Sequence, residues 1–320
     1  MNTFLVKLIT LTYILCCLWT DLQPVQSFPL ITDMVIQPFA KIIKPINKNP
    51  ECIYFSGAGV YFWWQLGVAK YMKDNCDLKC IQEQRVIGAS AGSITSTLLL
   101  TGANLDIMPQ LAIDVSNEAG LYTRKTGLAG VWGSLLRKLL DNAIPNNINF
   151  ETLSNLYIAL TPTFSKPKLV SNFESKEDLI DAILASCHVP VFLDGRPYTQ
   201  YRGENVIDGS FWYFVTKDRN TGLPLPQEVR TDDIFWVDYV DDEDFMATIS
   251  GNFLELANPD GIYDMVDSGY NFMKREHYFG RLPYAKSTKP NFVTLSQRLA
   301  IPENLMQAIR KVDYFEFYKA

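Results

Sequence analysis

Histidine is nearly missing from this chain. Among 320 residues only His188 and His277 occur, so any mechanism resting on an imidazole has two candidates in all. Cysteine is sparse as well: six residues, dispersed and without a C-x-x-C pair. That excludes a disulfide-dense scaffold and offers no set of ligands for tetrahedral zinc. No Asn opens an N-x-Ser/Thr sequon, and neither repeats nor low-complexity stretches occur. Positive charge is not in excess; the formal net charge is −6, which excludes a surface built to track nucleic acid. Apolar residues, by contrast, make up 48% and aromatics 13%. Disorder is thereby excluded, and one large core or two closely packed lobes are both admissible.

The longest apolar run stands near the start. Lys7 precedes an apolar stretch from Leu8 to Trp19, and Val25-Gln26-Ser27 offers small residues where a signal peptidase reads. Residues 1–27 are therefore expected to be a cleaved signal peptide, with a retained signal anchor as the alternative, since the run is short for a bilayer span. This directs the chain to the secretory route, secreted or in an endomembrane lumen. Cys52, Cys76, Cys80 and Cys187 remain after cleavage. Cys76 and Cys80 lie four apart; a local bridge and two free thiols both stay open.

Beyond an extended lead-in with prolines at 29, 38, 45 and 50, strands alternate with helices. Cys52–Phe55 reads as a strand, 61–75 as a helix, Arg85–Ile87 as a strand and Ile94–Leu100 as a helix. Further helices are expected near 106–119 and 127–140, and strands near 156–163 and 167–173. Ser175-Lys176-Glu177-Asp178 is a capping box opening another helix. This alternation predicts an α/β fold with a mainly parallel sheet.

Chemistry is carried first by Gly88-Ala89-Ser90-Ala91-Gly92. A sharp strand-to-helix turn lifts a serine oxygen off the sheet edge, and glycines at Gly88 and Gly92 clear the space it needs. Gly57-Ala58-Gly59 also closes a strand and opens a helix, 33 residues before Ser90 counted from Gly57. In a right-handed β-α-β unit both turns emerge at the same carboxyl edge. Backbone amides of Gly57, Ala58 and Gly59, with that of Ala91, are thus placed to face a developing oxyanion. A dinucleotide-binding reading of the same glycines fails at Phe62, where G-x-G-x-x-G needs glycine.

The segments YFSGAGVYFWWQLGVAKYM, VIGASAGSITSTLLLTGAN, ASCHVPVF and NVIDGSF occur in that order. In motif, order and spacing the chain resembles the patatin-like phospholipases, and within them the branch that includes adipose triglyceride lipase. The resemblance covers about 52–104 and 180–211. It implies a three-layer α/β/α sandwich, with residues 28–320 as one acyl hydrolase domain whose core spans about 51–215. It also implies hydrolysis of acyl esters by a Ser–Asp dyad without metal or cofactor, the substrate being lipid at a membrane or droplet surface. The family's third motif, Asp-Gly-Gly or Asp-Gly-Ala, is matched by Asp208-Gly209-Ser210. Of three Asp-Gly pairs, those at Asp194 and Asp260 lie in proline-containing sequence that favours turns. Asp208 instead ends the β-like run Asn205-Val206-Ile207 and is expected at the carboxyl edge of the sheet.

Two departures stand out. Tyr61 and Phe62 occupy the positions where the family has a basic residue and then glycine, and Ser210 replaces the last Gly or Ala. In the family the glycine at the Phe62 position lets the oxyanion turn and the following helix lie close, so with Phe62 either the turn is displaced or the ring points away among neighbouring aromatic residues; the expectation is a displaced turn, weak activity and a gain on Phe62→Gly. Phe62 also prompts the alternative of a weak or catalytically dead lipid-binding relative; acyl transfer between lipids is a second alternative, open to the same dyad. A Ser90–Asp208–His277 triad would have the chain order of an α/β-hydrolase, but only 62 residues separate Ser27 from Ser90, too few for that fold's leading strands. His277, in a polar helical stretch, is expected at the surface. Asp241-Asp242-Glu243-Asp244 lacks EF-hand spacing and reads as a solvated turn. Leu128, Val131, Trp132, Leu135, Leu136 and Leu139 share one helical face, for core packing or as a lid. Trp63 and Trp64 are expected to pack against the sheet.

Overall fold

The computed structural model describes residues 49–286, apart from 164, 227, 250–253 and 279. The expected signal segment 1–27 lies outside the described residues. Seven strands form one sheet in the order β5-β6-β3-β2-β1-β7, with β4 also on β3. They are β1 (Cys52–Phe55), β2 (Arg85–Ala89), β3 (Leu156–Pro162), β4 (Lys168–Val170), β5 (Thr199–Tyr201), β6 (Glu204–Ile207) and β7 (Ile234–Val237). The four strands β3-β2-β1-β7 are parallel, whereas β4, β5 and β6 pair antiparallel. Crossover helices explain the difference: parallel neighbours need a long connection, and α1 (Phe62–Asn75) supplies it between β1 and β2.

Burial follows the pleat. Ile53, Phe55, Val86, Leu156, Ile158 and Leu160 face one core, and Cys52, Tyr54, Ile87, Ala89 and Ala159 face another. The larger core is shared with α1, α2 (Ala91–Leu100), α3 (Met108–Glu118), α4 (Trp132–Ala143), α5 (Lys176–Ser186) and a later helix, Pro259–Tyr278. The smaller is covered by α6 (Phe211–Thr216) and the segment through Leu223 and Val229. This is the expected three-layer α/β/α sandwich with a mainly parallel central sheet. Ser175 caps α5 as its sequence predicts, accepting from the Asp178 amide at 3.1 Å.

Several expectations need correction. Asp260 stands not in a loop but in the first turn of Pro259–Tyr278, here α7. This helix crosses α1 at paired glycines: a Cβ on Gly67 would collide with Val266 O, and one on Gly269 with Trp64 O. His277 is on α7 but not at the surface; it is 3% exposed, with Nδ1 2.9 Å from Tyr71 Oη of α1. The acidic run is exposed at Asp241, Glu243 and Asp244, as expected, but not at Asp242. Asp242 is buried and accepts from Trp64 Nε1 at 2.9 Å and from Arg275 at 2.8 Å, while Asp241 pairs with Arg219. Sequence spacing cannot reveal cations brought in from α7. Cys52, Cys76, Cys80 and Cys187 are free thiols.

Candidate active site

Ser90 occupies the single residue between β2 and α2, with φ 52° and ψ −126°. A non-glycine residue so placed is strained by about 1–3 kcal/mol and persists only where its surroundings over-determine it. They do so here. Ser90 N donates to Ser186 Oγ at 2.8 Å, and Ser186 Oγ donates to Ala159 O of β3 at 2.7 Å. On the other side the Ser93 amide and hydroxyl both donate to Ser90 O, at 2.8 and 2.6 Å. A Cβ on Gly92 would strike Phe55 O, and one on Gly88 would strike Ser96 and Gly92. Both glycines of the motif are therefore required by close backbone approach.

Asp208 reaches the same place by a route the sequence does not show. Strand β6 runs antiparallel to β3, pairing Val206 with Pro162 and Ile207 with Thr161. The chain thus comes back over the tip of β3, and Asp208-Gly209 arrive level with Ala159, the partner of Ala89. The expected position at the carboxyl edge is met, but by a returning strand rather than a parallel strand end. Gly209 has no room for a side chain against Ala159 O. Asp208 N donates to His188 O at 2.8 Å and Gly209 N to Ser186 O at 2.9 Å, so the end of α5 clamps both.

The Asp208 side chain is 2% exposed. Its Oδ1 accepts the Ser210 amide at 2.8 Å, and Oδ2 is buried without a hydrogen bond of good geometry. Burial pushes this carboxyl up to about 6, against the opposing pull of the Ser90 hydroxyl and the Ser210 amide. Asp194 instead belongs to an exposed turn. His188 is fully buried, but its ring turns to Arg196 O at 3.1 Å, and burial lowers its pKa. Neither histidine completes a triad with Ser90.

Gly59 and Ala91 border the cavity onto which Ser90 opens. Ala58 is fully buried and Gly57 packs against Ser210, so these two stand behind the cavity wall. Gly59 takes φ 55°, the left-handed turn that starts a 3-10 helix, Gly59–Tyr61, ahead of α1. Phe62 then has helical dihedrals (φ −44°, ψ −38°), and its ring meets Trp63 at 4.9 Å between centroids. No left-handed residue is needed there, which is why phenylalanine is accommodated. The ring turned toward Trp63 matches the second of the two outcomes expected of Phe62.

Leu128, Trp132, Leu135, Leu136 and Leu139 line the cavity together with Phe62 and Trp63. Within the amphipathic stripe Leu136 and Leu139 pack into the larger core, the first of the two expected roles, and they line the cavity as well; helix α4 starts only at Trp132, and Arg137 and Lys138 on its outer side pair with Asp181 and Glu118. Trp63 and Trp64 are both buried in the larger core, as expected, Trp63 where that core borders the cavity. Sequence reasoning passed over Ser186, although it lies within the quoted ASCHVPVF segment; a small polar residue at the buried end of an apolar helix was its signal. Among the described residues no group of three or more His, Cys, Asp or Glu is arranged to hold a metal ion.

Raising the folded-state pKa of Asp208 above its ordinary 3.8 means that the folded chain keeps a proton the unfolded chain has lost. The stability from that proton is complete below about pH 4 and is lost as pH rises through about 6. Asp208→Asn is therefore expected to raise the melting temperature at neutral pH, by up to about 3 kcal/mol of stability, and to have little effect near pH 4. Thermal unfolding of both proteins across that range checks this.

The patatin-like phospholipase family model matches residues 53–215. Omega-hydroxyceramide transacylase of Homo sapiens is 30% identical over 173 residues, 53% of this chain and 32% of that protein. Patatin-like phospholipase domain-containing protein 2 of Rattus norvegicus is 31% identical over 163 residues, 49% and 33% of the two chains. 1-Acylglycerol-3-phosphate O-acyltransferase PNPLA3 of Homo sapiens is 26% identical over 161 residues, 48% and 32%. The matched region spans about a third of each relative's length. With the family model covering half of the sequence, and a strand–Ser90–helix elbow set in a three-layer sandwich, the chain belongs to the patatin-like phospholipase family.

Proposed function

We propose that this protein is a lipid acyl hydrolase working through a Ser90–Asp208 dyad. One observation carries the reading: a strained serine opens onto an apolar cavity, and Ser186, bonded to both Ser90 N and Gly209 N, holds beside it a buried carboxyl that desolvation pushes up to about 6. A carboxylate of that basicity can take a hydroxyl proton near neutral pH, which an ordinary exposed aspartate does poorly.

In the proposed cycle Ser90 Oγ attacks the ester carbonyl carbon while its proton passes to Asp208. The oxyanion so formed faces the amides of Gly59 and Ala91. Collapse breaks the ester bond, and the leaving alkoxide takes the proton from Asp208. Water then attacks the acyl-enzyme, giving a proton to Asp208; the carboxylic acid leaves and Ser90 regains its proton. A lipid hydroxyl in place of that water would make the same site an acyltransferase. The apolar lining, which limits water, and the names of two relatives favour this as the second reading. The substrate in either case is an acyl ester whose chain lies along Phe62, Trp63 and α4.

Purified protein should hydrolyse a soluble medium-chain ester. Ser90→Ala is expected to abolish turnover and Asp208→Asn to lower kcat by about three orders of magnitude, the scale of a lost general base. His277→Asn, if folded, should stay within a few-fold. Retained turnover in Ser90→Ala, or collapse in folded His277→Asn, contradicts the dyad.

Phe62 gives a separate test. As a wall residue at the first turn of α1, its replacement by glycine removes packing and adds about 1 kcal/mol of helix cost. Phe62→Gly should therefore melt earlier and turn over esters no faster than the unaltered chain; a clear gain in kcat would restore the displaced-turn explanation.

A further inference from the structure

Val191 is held in an improbable state. It has φ 68°, a left-handed conformation that a β-branched residue avoids and that Gly or Asn takes more readily. Little packing is gained in return, the residue being 62% exposed. The conformation is nevertheless tightly specified: Val191 N donates to Arg196 O at 2.7 Å, and Gly195 N donates to Val191 O at 3.0 Å. A strained backbone that presents an apolar side chain to solvent points to a partner outside the chain.

The surroundings say which partner. Val189 and Phe192, on either side of Pro190-Val191, line the Ser90 cavity, so the turn forms part of that cavity's mouth. Gly130 N donates to Phe192 O at 2.7 Å and Gly133 N to Leu193 O at 3.0 Å, tying this turn to the segment bearing Leu128 and Trp132. Leu128, Val131, Trp132, Val189, Pro190 and Phe192 are all half-buried, a continuous apolar rim with Val191 as its most exposed member. Cations flank it. The Arg196 side chain is 75% exposed, with Asp194 only loosely placed at 4.0 Å, and the exposed Arg124 donates to Ala129 O at 2.9 Å. An apolar tip between arginines matches the boundary between acyl chains and phosphates.

We infer that the rim centred on Val191 docks on a phospholipid bilayer surface, setting the cavity mouth against the acyl chains. The inference rests on the lipid acyl hydrolase reading for its purpose, but its test does not depend on turnover. Hydrogen–deuterium exchange of the full-length Ser90→Ala protein is measured with and without vesicles of phosphatidylcholine and phosphatidylglycerol. Local readout separates this contact from any made by other segments. Vesicles should slow exchange in peptides covering 121–131 and 188–197 by about three-fold or more, and Val191→Asp should remove that slowing. Val191→Gly, which relieves the backbone, should melt no earlier than its parent and also lose most of the slowing. Unchanged exchange on vesicles, or equal slowing in both variants, overturns the inference. So does slowing that appears on raising protein concentration without vesicles, which marks the rim as a contact between copies. Failure of the hydrolase reading is seen separately, as no ester turnover by the unaltered chain.

Discussion

The Ser186 hydroxyl joins three parts of the chain that are far apart in sequence. It accepts from the Ser90 amide and donates to Ala159 O, while the Ser186 carbonyl accepts from Gly209 N. The end of α5 thereby fixes the elbow after β2, the middle of β3 and the Asp-Gly turn after β6 in one buried knot. Every group in it is backbone or a small side chain, so little rotamer freedom is lost in holding it. Without that knot, Ser90 would have no reason to keep its strained dihedrals, and Asp208 no fixed relation to it.

The cavity depends on the same layer. Helix α2 leaves from the elbow, and α4, tied through Gly133 to Leu193, supplies the long apolar wall. One side of the sheet thus carries both a thick core and a mouth toward solvent, while the other side is only partly covered by the short α6 and the segment that follows, with a second, more open cavity lined by Tyr157, Leu169, Trp212 and Leu223. Burial that makes the cavity apolar also desolvates Asp208. A single physical cause therefore shapes an apolar cavity at Ser90 and raises the Asp208 carboxyl.

Much of this was legible in the sequence because local signals agree. The glycines around Ser90, the capping box at Ser175 and the short buried strands each read correctly, since each is enforced by nearby backbone geometry. What was not legible comes from long-range pairing. Nothing in Asn205-Val206-Ile207 tells that β6 returns antiparallel, and nothing in a polar stretch at 272–278 tells that His277 meets Tyr71. Likewise Asp242 reads as solvated until Trp64 and Arg275 are brought to it. Phe62 looked like an obstacle because turn and helix were expected to lie too close for a ring; its ring turns instead toward Trp63, which sequence alone does not tell.

The central claim is that Asp208 activates Ser90. The rate at which a fluorophosphonate labels the protein, measured as a function of pH with the adduct located by peptide mass spectrometry, addresses it directly. The account predicts an adduct on Ser90 whose labelling rate rises as pH passes through about 6 and then levels, a rise missing from Asp208→Asn. A folded protein with no adduct at Ser90, or a Ser90 labelling rate indifferent to pH between about 5 and 8, would contradict it.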